Sequence, residues 1–140
     1  MSMIGAVQAY LKQYSELPDG APVWVDTVGP AAGEYGVIAL AGTRVVETYI
    51  SGKSLREFPF AFQSTESTAD DLARLETNGF FEAFADWLDA QTEAGSLPVL
   101  DAKRTAVAIE ATGWAFLYEQ GNSDTGIYQI QCKLFYEQVP

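Results

Sequence analysis

Leu55-Arg-Glu-Phe-Pro-Phe-Ala-Phe-Gln63 places Phe58, Phe60 and Phe62 on one face at period two, as a half-buried strand requires. Ser64-Thr-Glu-Ser-Thr68 interrupts that pattern, and from Ala69 the period becomes helical. Leu72, Leu75, Phe80, Phe84, Trp87 and Leu88 then fall on or near one stripe, the mark of a helix lying across an apolar surface. A phenylalanine strand feeding one long amphipathic helix implies a sheet for that helix to cover, and the remaining chain supplies it.

Working outward towards the N-terminus, Ile4, Val7, Leu11 and Tyr14 are spaced three, four and three apart and predict a short helix. Leu17-Pro-Asp-Gly20 stops it. Residues 22–28 read as a strand and residues 29–36 as a loop. The β-rich runs 37–40 and 43–50, separated by Ala41-Gly42, form either a hairpin or one bent strand. Pro59 points to a free edge or a bulge in the phenylalanine strand.

The central helix has Ser67 or Thr68 as candidate caps, with Asp70 or Asp71 near its positive end. Asn78-Gly79 is an interior weakness, so the helix is either continuous to about residue 93 or split there. Gly95-Ser-Leu-Pro98 ends it. Residues 104–119 read as one long strand whose parity switches at Gly113, a candidate bulge. After a turn at 121–126, Tyr128, Ile130, Cys132, Leu134 and Tyr136 alternate with Gln129, Gln131 and Lys133 in a half-exposed strand. The expected order is α-β-β-β-α-β-β: an α+β fold in one domain, residues 1–140, with a mainly antiparallel sheet of about five strands and both helices packed on it.

Composition bounds the rest. The chain has 140 residues, 48% of them hydrophobic, enough for one domain with its own core. No apolar run approaches the ~18 residues of a membrane span, so the expectation is a soluble, unsecreted protein. The single Cys132 precludes an internal disulfide. Its place on an apolar strand face predicts a packed thiol. The net charge of −11 disfavours binding of duplex phosphates. Residues 66–93 alone carry eight acids and one base, Arg74, a net of −7. Most bases, among them Arg44, Lys53, Arg56, Lys103 and Arg104, lie in the strand regions.

Candidate chemistry is sparse. The chain contains no histidine, the commonest general base and metal ligand. Ser51-Gly-Lys-Ser54 ends like a phosphate-binding loop, but the position five residues before Gly52 is Glu47 and a strand follows. A hairpin turn is the expectation, since the phosphate loop needs that earlier glycine and a helix. Glu82, Asp86, Asp89 and Glu93 are spaced three and four apart on the helix. They fit a solvated face or a contact for a positively charged partner better than a cation or acid/base site. Trp24, Phe135 and Trp114 or its neighbours cannot all point inward, so some exposed aromatic area is expected. No catalytic, cofactor-binding or metal-binding residue is assigned, and an enzyme is not expected.

Ser51-Gly-Lys-Ser-Leu-Arg-Glu-Phe-Pro-Phe-Ala-Phe-Gln63, Asn78-Gly-Phe-Phe-Glu-Ala-Phe-Ala-Asp-Trp-Leu88, Gly95-Ser-Leu-Pro98 and Tyr128-Gln-Ile-Gln-Cys-Lys-Leu-Phe-Tyr136 resemble segments of a tailed-bacteriophage family of minor capsid proteins, over roughly residues 50–137. The order of elements is similar to that of phage tail terminators, which form hexameric rings between the tail tube and the head. The resemblance implies a virion protein of a phage or prophage, made in the bacterial host cytoplasm. It implies as partners further copies of itself and tail-tube or head-completion proteins, with DNA passing without specific binding and no membrane contact. A head-to-tail ring needs two unlike faces, and on this expectation Glu82, Asp86 and Asp89 of one subunit meet Arg44, Lys53 or Arg56 of the next. Two alternatives stay open: a head-completion or neck ring, and a small α+β enzyme or ligand-binding domain.

Overall fold

The phenylalanine segment forms one of two long central strands in a computed structural model that describes residues 2–121 and 124–140. The chain orders as α1 (Met3–Leu11), β1 (Val23–Val25), β2 (Glu34–Ala39), β3 (Val45–Thr48), β4 (Ser54–Ser67), α2 (Asp71–Ala94), β5 (Arg104–Ala111), β6 (Phe116–Gln120) and β7 (Thr125–Gln138). β4 and β7 pair antiparallel along their whole lengths, from Ser54 opposite Gln138 to Ser67 opposite Thr125. The fold is α+β with a seven-stranded mixed sheet.

The strand number exceeds the expected five because each flank of the central pair is divided. β2 pairs with residues 60–65 of β4 and β3 with residues 54–56, so the runs near 37–40 and 43–50 are neither a hairpin with each other nor one bent strand. Pro59 lies in the gap between them. Its carbonyl accepts from Leu40 N at 3.0 Å, so its missing N–H faces the same gap, where no ladder bond is lost. On the other flank, β5 pairs with residues 132–138 of β7 and β6 with residues 126–129. The expected single strand over 104–119 is therefore two strands separated by residues 112–115. The register shifts lie at Val107 and Tyr118 rather than Gly113, which turns Val107 outward while Ile109 is buried. The expected turn at 121–126 includes Asn122 and Ser123, which lie outside the described residues.

β1 pairs with β2 in parallel, an exception to the antiparallel expectation. Residues 26–33 join them, shorter than the dozen or more residues of an ordinary parallel crossover. Asp26 turns the chain at φ 58°, and the loop folds back over the sheet face opposite the helices. Thr27 O lies so close to Gly36 that an added Cβ there would sit 2.0 Å from it. Gly33 N donates to Thr65 O at 2.8 Å and tethers the far end of the loop. Residues 34–36, expected as loop, belong to β2.

The helices cover the other face. Phe60 and Phe62 from β4, Tyr128, Ile130, Cys132 and Leu134 from β7, and Phe81, Phe84 and Leu88 from α2 are all buried there. α1 adds Val7, Tyr10 and Leu11, and Tyr14 follows it. The Phe62 and Phe84 rings are 4.6 Å apart and those of Tyr14 and Trp87 5.2 Å apart, close enough for favourable aromatic contact. Cys132 is buried as expected, and burial pushes its thiol pKa up.

α2 departs from its expected form at one end. The polar segment after Gln63 is not a break, since β4 continues through Ser67. The cap is Asp70, whose Oδ1 accepts from Ala73 N at 2.9 Å. The helix runs without interruption through Asn78 and Gly79 to Gly95, which ends it at φ 72°. Its first turns stand clear of the core, so Leu72 and Leu75, expected on the buried stripe, are 67% and 68% exposed. Phe81, not assigned to the stripe, is fully buried instead. Among the described residues no helix is long and apolar enough to cross a membrane.

Candidate assembly surfaces at two corners of the sheet

The divided flanks produce two unlike surfaces. The first forms where β5 leaves β7. Thr112 donates its N–H (2.8 Å) and its hydroxyl (3.1 Å) to Gln131 O, and the chain then departs over residues 112–115 before rejoining β7 as β6. The departure opens a groove of about 520 Å³ between this connection and α2. Phe81, Ala85, Ala111 and Ile130 give it an apolar lining, while Glu82, Asp86 and Asp89 bring acid from α2. Trp114 also lines it with 79% of its surface exposed. β6 continues the apolar exposure through Phe116, Leu117 and Tyr118.

The helix positions those acids by its period. Phe81, Phe84 and Leu88 face the sheet, and Glu82, Asp86 and Asp89 fall on the flank turned towards the groove, all three exposed. None of them makes an ion pair among the described residues. Adjacent like charges on a helix repel, and burial of the stripe against the sheet holds them together nevertheless.

The second surface lies at the other end of the central strands, where β3, the start of β4 and the start of β5 meet. Ser54, Gln138 and Arg104 share one row of the sheet. Arg44 lines a depression there with Asp101, Lys103, Arg104 and Gln138. Lys53 Nζ pairs with Glu137 at 3.4 Å, and Arg56 Nε donates to Ser54 Oγ at 3.0 Å. Arg104 is held by Asp101 at 2.5 Å. That contact lowers the aspartate pKa and raises that of the guanidinium. Arg44 is exposed and makes no ion pair among the described residues. Beside it Val45, Val46 and Ile50 are exposed. Val46 is the extra residue of a bulge between Val45, opposite Arg56, and Glu47, opposite Leu55.

The structure thus brings Arg44, Lys53 and Arg56 together at one corner and Glu82, Asp86 and Asp89 together at another. It does not bring the two sets into contact. The row of Arg56 and the row of Phe62 and Ile130 are six residues apart on β4, roughly 20 Å along a strand. Within the basic set, Arg44 is the exposed member without an ion pair among the described residues.

Ser51-Gly-Lys-Ser54 is the turn between β3 and β4, as expected. Tyr49 N donates to Lys53 O at 2.8 Å, Gly52 adopts φ 88°, and a strand follows. Among the described residues no group of three or more His, Cys, Asp or Glu is placed to hold a metal ion.

Two features carried no signal in the residues alone. Val45, Val46 and Ile50 read as ordinary strand residues; the exposure of the two valines follows from the edge position of β3, and Ile50 lies beyond that strand in the turn to β4. Glu66 and Tyr35 line a small depression with Glu76, Thr77 and Phe80. Burial raises the Glu66 carboxyl pKa, and pushes that of Tyr35 up to about 12. The expected polar interruption at residues 64–68 hid the burial of Glu66, and the expected loop at residues 29–36 hid that of Tyr35. No family model and no curated protein matches the chain.

Proposed function

We propose that the chain is a structural protein of a tailed-phage or prophage virion, a tail terminator or minor capsid component that forms a ring at the head–tail junction. One observation carries the proposal: the molecule has two exposed apolar corners of opposite charge character, at different ends and on different flanks of one sheet. A surface that is unlike its partner surface generates a ring when the rotation closes. The resemblance to phage minor capsid proteins supplies the setting, carried by segments of β4, α2 and β7 and by Gly95-Ser-Leu-Pro98 just after α2. The net charge of −11 suits a conduit, since an acidic wall repels the phosphates of passing DNA.

The test is electron microscopy of the purified protein mixed with phage tail tubes. Rings seated on one end of each tube support tail termination. Rings that bind portal–connector complexes and ignore tubes move the protein to the neck. Tubes that stay bare, with the protein monomeric beside them at high concentration and no association with connectors, overturn the proposal.

A further inference from the structure

We infer that the Trp114 groove of one copy receives the start of β3 from a second copy, with Arg44 on the acidic rim and the bulged Val46 against Trp114. The inference rests on the ring reading above and names the contact that would build it. The groove asks for a segment that is apolar and basic together, because its lining is Phe81, Ala85, Ala111 and Ile130 while Glu82, Asp86 and Asp89 supply the charge. This chain presents such a segment at Arg44, Val45 and Val46, which the exposed acid Glu47 then ends. The bulge matters because an extra residue in an edge strand re-aims its side chain out of the ladder. The strand separation of the two corners prevents a copy from filling its own groove. Charge then selects the unlike pairing, since two grooves facing each other would oppose acid to acid.

A crosslinking experiment on the full chain tests the contact directly. Thr43 and Thr112 are both exposed, one beside Arg44 and one in the groove wall, and the native Cys132 is buried. Thr43→Cys and Thr112→Cys are combined in one chain, assembled on tail-tube ends and treated with a flexible bismaleimide. A head-to-tail contact gives a ladder of dimers, trimers and higher species, whereas either single variant stops at dimers. Arg44→Glu in that background lowers ladder yield about tenfold or more, and adding Asp86→Lys restores it. Rings that form on tube ends but yield no ladder overturn the inference and leave the ring reading standing. A ladder unchanged by Arg44→Glu overturns the assigned role of Arg44. If neither rings nor ladder appear, the ring reading fails and this contact fails with it.

Discussion

Replacing Trp114 with alanine separates the fold from the assembly surface more cleanly than any other single change. The indole is 79% exposed, so folding removes only about a fifth of its surface from water. A fully buried aromatic side chain covers about 150–250 Å², which leaves roughly 40 Å² here. At about 25 cal/mol per Å² that is about 1 kcal/mol, or about 4 °C in melting temperature for a domain of this size. Covered by a neighbour, the same ring becomes an aromatic anchor in an apolar pocket, where truncation costs about 2 kcal/mol or more. That is roughly a 30-fold loss of affinity at each contact. Thermal melts by circular dichroism at low concentration measure the first quantity, and mass photometry across a concentration series with tail tubes measures the second. Trp24→Ala is the control, since that ring is 46% exposed and does not line the groove; it leaves assembly unchanged. A loss of more than about 3 kcal/mol in the Trp114→Ala melt would place the ring in the core, against its exposure. Assembly of Trp114→Ala at the parental concentration would refute the groove as a contact.

Phe62→Ala removes a fully buried ring stacked among Tyr35, Phe81 and Phe84, and urea unfolding registers a loss of about 3–5 kcal/mol; Phe62→Leu loses less than about 1.5. Gly36→Ala drives a methyl into Thr27 O and costs about 1–3 kcal/mol, whereas Gly79→Ala meets open space and gains about 0.5–1 kcal/mol, both read from thermal melts. Glu66→Gln tests the half-buried carboxyl. Its folded pKa is raised, so ionisation costs stability above the folded value and the cost vanishes below the unfolded one, near pH 4; the variant is more stable than the parent at neutral pH, and the difference closes as the medium is acidified.

The inner half of the fold was legible because period reports burial. Phe60, Phe62, Phe84, Leu88 and the apolar positions from Tyr128 to Tyr136 lie on the faces their spacing predicts, while Gln129, expected on the exposed side, is buried and accepts from Gln63 Nε2 at 2.7 Å. The errors in strand number share one cause: continuity of β-rich sequence does not reveal which neighbour a strand pairs with. Residues 37–50 and 104–119 each looked like one feature and are each two strands, because β4 and β7 are long enough to pair with separate strands at their two ends. Leu72 and Leu75 satisfied the helical stripe, but period cannot say where along a helix the sheet beneath it begins. Ser64 to Ser67 looked like a hinge because polar residues lower strand propensity, yet pairing with β7 continues through Ser67 and overrides it.

The candidate surfaces were legible as charge and not as shape. The concentration of acid in residues 66–93 is plain in the sequence, and so is the drift of bases into strands. What no residue pattern contained is that the bases collect at one corner and the groove-facing acids at another. That separation decides between two kinds of assembly. A two-fold dimer applies one patch to its own copy, so joining grooves would oppose Glu82, Asp86 and Asp89 to the same acids, whereas joining β3 edges antiparallel sets Arg44 near the exposed Glu47 of the other copy. The groove-to-groove arrangement adds repulsion to a subunit that already carries −11. A contact between unlike corners lets Arg44 offset the groove acids of the next copy. On the proposed reading a two-fold arrangement through the grooves is therefore the least favoured way for this chain to self-associate, and repetition of the unlike contact, closing when its rotation permits, is the most favoured.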